Sequence, residues 1–171
     1  PEVRREAREQ ALEARRGRAA GRPPASGGMS ASCPLARERG LRHPAAVADP
    51  RSYDPALYEM MHRGTPGDAA FYARRLAGAR RVLELGCGYG RMLSALASAL
   101  SETELTGLEL HPGLLERARA RLPERVRLLE GDMRALPPDL PPQDAIIAPY
   151  STLWCLPSDA DALSCFRSVW A

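Results

Sequence analysis

Residues 82–90 read Val82-Leu83-Glu84-Leu85-Gly86-Cys87-Gly88-Tyr89-Gly90. An apolar run of strand character stops at a glycine, three glycines stand at alternate positions, and a helix-forming stretch opens at Arg91. Glycine reaches φ > 0 at little steric cost and lets a ligand come close to the backbone. The first turn of the helix that follows leaves N–H groups free. The spacing separates this turn from two phosphate-binding loops. A dinucleotide fingerprint, G-x-G-x-x-G, sets its last glycine one residue later, and a P-loop needs a lysine, of which the chain has none. The bland alternative is an ordinary tight strand-to-helix turn that holds no ligand.

On either side of this turn the hydrophobic pattern alternates between strand and helix. Arg81–Leu85 is expected as a strand. Arg91–Leu100 is expected as a helix with Leu93, Leu96, Ala97 and Leu100 on one face. A second strand is expected over Leu105–Leu110 and a helix from Pro112, whose Leu114, Leu115, Ala118 and Leu122 share a face. A third strand is expected over Val126–Leu129, and a fourth over Ala145–Ala148, whose continuous apolar run suggests burial on both faces. Ser158-Asp159-Ala160-Asp161 matches a capping box for a last helix, with Leu163, Phe166 and Trp170 expected on its inner face. Upstream, Ala45–Tyr53 reads as a proline-broken loop and Pro55–His62 as a short helix. Thr65-Pro66-Gly67-Asp68 reads as the start of a helix running to about Leu76, with Thr65 as N-cap. Strands alternating with helices imply parallel strands with right-handed crossovers. The expected fold is α/β: a Rossmann-like parallel sheet with helices on both faces, in three layers.

Two acidic positions stand at the ends of later strands. Glu109 closes the second strand, 19 residues after Gly90. A carboxylate there can accept hydrogen bonds from both ribose hydroxyls of a nucleoside; the bland alternative is a solvated carboxylate capping the next helix. Asp132, in Gly131-Asp132-Met133, follows the third strand. It could accept the exocyclic amine of adenine while Met133 packs on the ring, although Gly-Asp alone is a common turn. Glycine turn, Glu109 and Asp132 all fall at carboxyl ends of parallel strands, the edge where such sheets bind ligands.

The ordered set ELGCGYG, GLELHP, EGDMRALPP and DAIIAPYSTLWCL resembles the class I S-adenosylmethionine-dependent methyltransferases, in particular the small single-domain type that acts on small molecules. The resemblance runs from about Tyr53 to Trp170. It implies S-adenosyl-L-methionine as cofactor and a small-molecule methyl acceptor. Glu84, Gly86, Cys87, Gly88, Tyr89 and Gly90 would line the methionine moiety. Glu109, with Leu110 beside it, would hold the ribose, and Asp132 and Met133 the adenine. Ala148, Pro149 and Tyr150 would face the methyl group and the acceptor, and Tyr53 or Tyr58 would close over the cofactor. The full family fold has seven strands. The expectation is therefore a cofactor-binding half at 81–171 with the C-terminal strands of that fold missing, and self-association through the open sheet edge. A cofactor binder without turnover and a nicotinamide-dependent dehydrogenase piece are the alternatives. No histidine is obviously placed as a general base, and His111 is expected near the ribose or in solvent.

Composition bounds the rest. The formal charge is +3, and residues 1–28, with seven Arg against four Glu, hold all of the excess. The stretch 1–28 is expected as a basic, poorly ordered leader and 29–80 as a helical, lid-like segment. No nucleic-acid partner and no membrane span are expected. Cys33, Cys87, Cys155 and Cys165 form no C-x-x-C pair and the three histidines are scattered, so no metal site is expected and the thiols should be reduced, in the cytoplasm.

Overall fold

The computed structural model describes residues 52–170. The basic leader, the first part of the 29–80 segment, Cys33 and His43 lie outside the described residues. Two short helices come first, α1 (Pro55–Met61) and α2 (Asp68–Arg75). Then follow β1 (Arg81–Leu85), α3 (Arg91–Ala99), β2 (Glu104–Glu109), α4 (Pro112–Arg121), β3 (Arg127–Glu130) and β4 (Ala145–Ile147). A 3-10 turn (Thr152–Cys155) leads into α5 (Asp159–Trp170).

The four strands form one parallel sheet in the order β3-β2-β1-β4. The chain steps outward from β1 through β2 to β3, then crosses back to lay β4 on the other side of β1. That reversal opens a crevice beyond the carboxyl ends of β1 and its neighbours. Successive side chains of a strand point to opposite faces, and the two cores follow from it. Val82, Leu105 and Ile147 pack with Met92, Leu93 and Leu96 of α3 and with Ala118 of α4. Leu83, Leu85 and Leu108 pack on the opposite face with Cys165 of α5. Helices cover both faces, giving the expected three layers.

Several elements depart from their expected form. α2 starts at Asp68 rather than at Thr65, because Gly67 takes a left-handed conformation at φ 85° and breaks the helical path before it. Thr65 is not the cap; its N–H donates to Asp68 Oδ2 at 3.1 Å. In α5 the capping box forms, with the Asp161 N–H donating to Ser158 Oγ at 3.2 Å. The inner face of that helix is not the expected one. Cys165 is buried and Val169 packs beside it, whereas Leu163, Phe166 and Trp170 are 54%, 56% and 91% exposed. The buried stripe is offset by one residue, about 100° around the helix. In β4 only Ile147 is buried, and Ala145 and Ile146 are half-buried. This strand lies at the edge of the sheet, so the two-sided burial suggested by its apolar run is not reached.

Candidate functional site

β1 carries Glu84 to the centre of the sheet and releases the chain into the glycine turn. Gly88, at φ 56°, donates its N–H to Glu109 Oε2 at 2.7 Å, and Glu109 Oε1 accepts the His111 N–H at 2.9 Å. The carboxylate that ends β2 therefore ties the turn after β1 to the start of α4. A Cβ on Gly88 would find only the Tyr58 ring within 4 Å, at 3.7 Å, so this backbone lies open on one side. Gly90 differs: a Cβ there would meet Leu122 at 2.8 Å, so its hydrogen lets α3 start against the end of α4.

A cleft of about 270 Å³ lies over the turn and the strand ends. The residues expected there line it with two exceptions; Glu84, Gly86, Cys87, Gly88, Tyr89, Glu109, Leu110, Asp132, Met133, Pro149 and Tyr150 are all at its wall. Gly90 and Ala148 do not. Gly90 serves the helix packing just described, and Ala148 packs against the core cluster on the α5 side of the sheet. Tyr150 has φ 60°, the one positive value among the described non-glycine residues. Such a conformation costs energy that the surrounding structure must hold in place.

The charges in the cleft are unevenly satisfied. Glu84 is buried, and its Oε2 has no hydrogen-bond partner among the described residues. Burial pushes this carboxyl well above the usual range; nearby Arg91 pulls it back, and Glu109 and Asp68 push it further up. Arg91 itself is paired with Asp68, at 3.1 Å and 2.7 Å. Asp132 is not a free acceptor. Arg134 grips it through Nε at 3.0 Å and 2.9 Å and through Nη2 at 2.6 Å, holding its carboxyl below the usual range. Arg134 Nη1 reaches on to Asp161 in α5 at 2.6 Å. The sequence reading missed this clamp; its only local signal is the Asp-x-Arg spacing.

The other wall comes from α1 and the residues before it. Asp54 caps α1, its Oδ1 accepting N–H groups of Ala56 at 2.7 Å and Leu57 at 2.9 Å. Glu59 pairs with Arg117 at 2.6 Å and with Arg121, fastening α1 to α4. So fastened, the helix turns Tyr58 and His62 to the cleft, with Tyr53 stacked on Tyr58 at 5.2 Å. Burial pushes the Tyr58 hydroxyl up to about 12, so it stays protonated. His111 is neither in solvent nor at the cleft: it is buried as the N-cap of α4, its Nδ1 accepting the Gly113 N–H at 3.1 Å. His62 and Arg91 are lining residues that no sequence pattern had singled out.

A family profile described as a methyltransferase domain matches residues 82–171. Trans-aconitate 2-methyltransferase of Methylobacterium nodulans is 39% identical over 88 residues, 52% of this chain and 33% of that protein. The dTDP-3-amino-3,6-dideoxy-alpha-D-glucopyranose N,N-dimethyltransferase of Streptomyces fradiae is 35% identical over 106 residues, 55% of this chain and 40% of that protein. Among solved structures, SAM-bound CalS10, an amino pentose methyltransferase from Micromonospora echinaspora, superposes with a TM-score of 0.58 at 29% identity, over 71% of this chain and 52% of that one. The chain thus spans between a third and about half of these relatives.

Proposed function

The chain belongs to the methyltransferase domain family, and from that premise we propose that its cleft binds S-adenosylmethionine and presents the methyl group to a small-molecule acceptor. The observation that carries this reading is the unpartnered Oε2 of Glu84, buried at the end of β1 where the glycine turn opens. A buried acceptor without a donor is costly, and an amino-acid ammonium supplies the donor and the counter-charge together. The remaining groups suit the rest of such a ligand. Glu109 spends one lone pair of each oxygen on backbone N–H groups and keeps others for ribose hydroxyls. Met133 and Leu110 offer apolar surface for a purine, beside the Asp132 carboxylate that Arg134 fixes in place.

Bound S-adenosylmethionine supplies an electrophilic methyl group on a sulfonium, which is already a good leaving group. The protein's part is then chiefly alignment, which can contribute several kcal/mol, up to about 7–11 in the best-oriented cases. Glu84, Gly88 and Glu109 hold one partner over β1 and β2, while Pro149 and Tyr150 beyond β4 offer surface to the other. Tyr53 and Tyr58 narrow the opening and exclude water. Acceptors fitting the relatives' chemistry are a carboxylate, as in trans-aconitate, and an amine on a sugar nucleotide. Among the described residues no helix is long and apolar enough to cross a membrane, and Cys87, Cys155 and Cys165 are free thiols, which supports a reducing, cytoplasmic setting. Calorimetry with S-adenosylhomocysteine tests the reading. Binding by the parent chain that is lost in Glu84→Ala is expected; a parent chain that does not bind it refutes the assignment.

A further inference from the structure

The two described histidines hold their rings in opposite ways. His111 Nδ1 accepts N–H groups from Gly113 and Leu114, so its proton sits on Nε2, which faces the Tyr53 carbonyl at 3.1 Å. Both of its nitrogens are used. His62 Nδ1 lies 3.1 Å from the Tyr58 carbonyl oxygen. A carbonyl can only accept, so Nδ1 carries the proton and, in the neutral ring, Nε2 is left with a bare lone pair. No hydrogen-bond partner takes Nε2 among the described residues. The ring is fixed in place: it stacks on Tyr58 at 3.9 Å, meets Tyr150 edge-on at 6.2 Å, and lines the cleft. Its own carbonyl accepts the Tyr89 hydroxyl at 2.8 Å.

The neighbours of the ring say which part of the cleft it occupies. Glu109 and Asp132 stand over β2 and β3, and Glu84 over β1. His62 lies against Tyr58 and beside Tyr150, the residue that the methyl-transfer reading sets toward the acceptor. Resting on the methyl-transfer reading above, we infer that His62 Nε2 is the proton acceptor for a methyl acceptor whose nucleophile bears a proton, an N–H or O–H group rather than a carboxylate. In the step it serves, the nucleophile's lone pair forms the new bond to the methyl carbon, and the carbon–sulfur pair passes to sulfur, leaving a neutral thioether. The nucleophile's proton passes to Nε2, and the resulting imidazolium returns it to solvent. A carboxylate acceptor needs no such group, since it is already deprotonated at neutral pH.

The test combines chemical labelling with one substitution. Diethyl pyrocarbonate acylates unprotonated imidazole nitrogens; the full chain is treated with it alone and saturated with S-adenosylhomocysteine, and the sites are read by peptide mass spectrometry. The expected result is that His62 is acylated in both states and His111 in neither. Protection of His62 by S-adenosylhomocysteine would make it a cofactor contact and overturn the inference, as would a His62 unreactive in both states. His62→Asn keeps an amide N–H for the Tyr58 carbonyl but places nothing at Nε2. With dTDP-3-amino-3,6-dideoxyglucose as the amine acceptor, this variant should lose about 100-fold or more in kcat, the usual scale of general-base catalysis, and retain S-adenosylhomocysteine affinity. A variant that methylates the amine as fast as the parent refutes the role. Failure of the parent to bind S-adenosylhomocysteine in calorimetry would sink the underlying reading instead, a separate outcome from any labelling pattern.

Discussion

Glu84 is the single side chain on which the proposed ammonium site rests. Its folded pKa lies above the ordinary 4.5 because burial penalises the charged form. A raised carboxyl pKa contributes stability in full below the unfolded value, and that contribution is lost as pH climbs toward the folded value. Glu84→Gln removes this dependence. Urea midpoints of parent and variant, compared between about pH 4 and pH 9, should diverge with the variant gaining as pH rises; parallel profiles would refute the burial argument. An ammonium-bearing ligand acts the other way, because it favours the carboxylate and expels the proton. S-Adenosylhomocysteine should therefore bind more tightly as pH rises through this range, with proton release, whereas methylthioadenosine, which lacks the amine, should not. Equal pH slopes for the two ligands would remove Glu84 from the proposed ammonium site. Gly88 gives a second expectation. Its left-handed φ and the open space toward Tyr58 mean that Gly88→Val both strains the turn and fills the proposed ligand path. Binding should be severely weakened with the far-UV spectrum retained, and unchanged affinity would place the ligand elsewhere.

Among the elements, the connection between β3 and α5 is the one that bears most on the proposed site. The loop leaving β3 presents Asp132, and Arg134 fixes that carboxylate while also holding Asp161 in the first turn of α5. A second tie runs from the Leu136 N–H to Ser168 Oγ at 2.6 Å. Because the Arg134 side chain is 41% exposed, its pairs are screened and contribute little to overall stability. Its effect should fall on position. Arg134→Ala is expected to leave the melting temperature nearly unchanged and to weaken S-adenosylhomocysteine several-fold, with the enthalpy most affected. A large fall in melting temperature with unaltered affinity would show that the clamp serves packing and not the ligand.

Taken together, the described residues leave apolar surface uncovered on one side. Among the described residues β4 pairs with β1 alone, so its outer backbone groups have no strand partner there. Leu153, Trp154, Leu163, Phe166 and Trp170 are exposed in the 3-10 turn and α5. Open strand edges and apolar patches both favour association. The 171-residue chain should therefore run as a dimer or larger species in size-exclusion chromatography with light scattering, and Phe166→Glu combined with Trp170→Glu should shift it toward monomer. A parent chain that is monomeric at micromolar concentration would show that this surface is tolerated in water.

The alternation of strand and helix, the strand–glycine–helix turn and the inner face of α4 were all legible in the amino-acid order. Each depends on local conformation or on a period within one element: φ > 0 at Gly88, apolar spacing at Leu114, Leu115 and Ala118. The α5 face was not legible, because Cys165 and Phe166 stand one residue apart and either stripe is apolar; the sheet that arrives against the helix selects Cys165. Nor was the half-burial of β4, which depends on its place at the end of the strand order and not on its own composition. The clamp of Asp132 and the open nitrogen of His62 lie further still from any pattern. Which atoms of a carboxylate or an imidazole remain free depends on donors and acceptors brought from elsewhere in the chain, such as Asp161 for Arg134 and Tyr150 beside His62, and those meet only once the sheet has set the elements against one another.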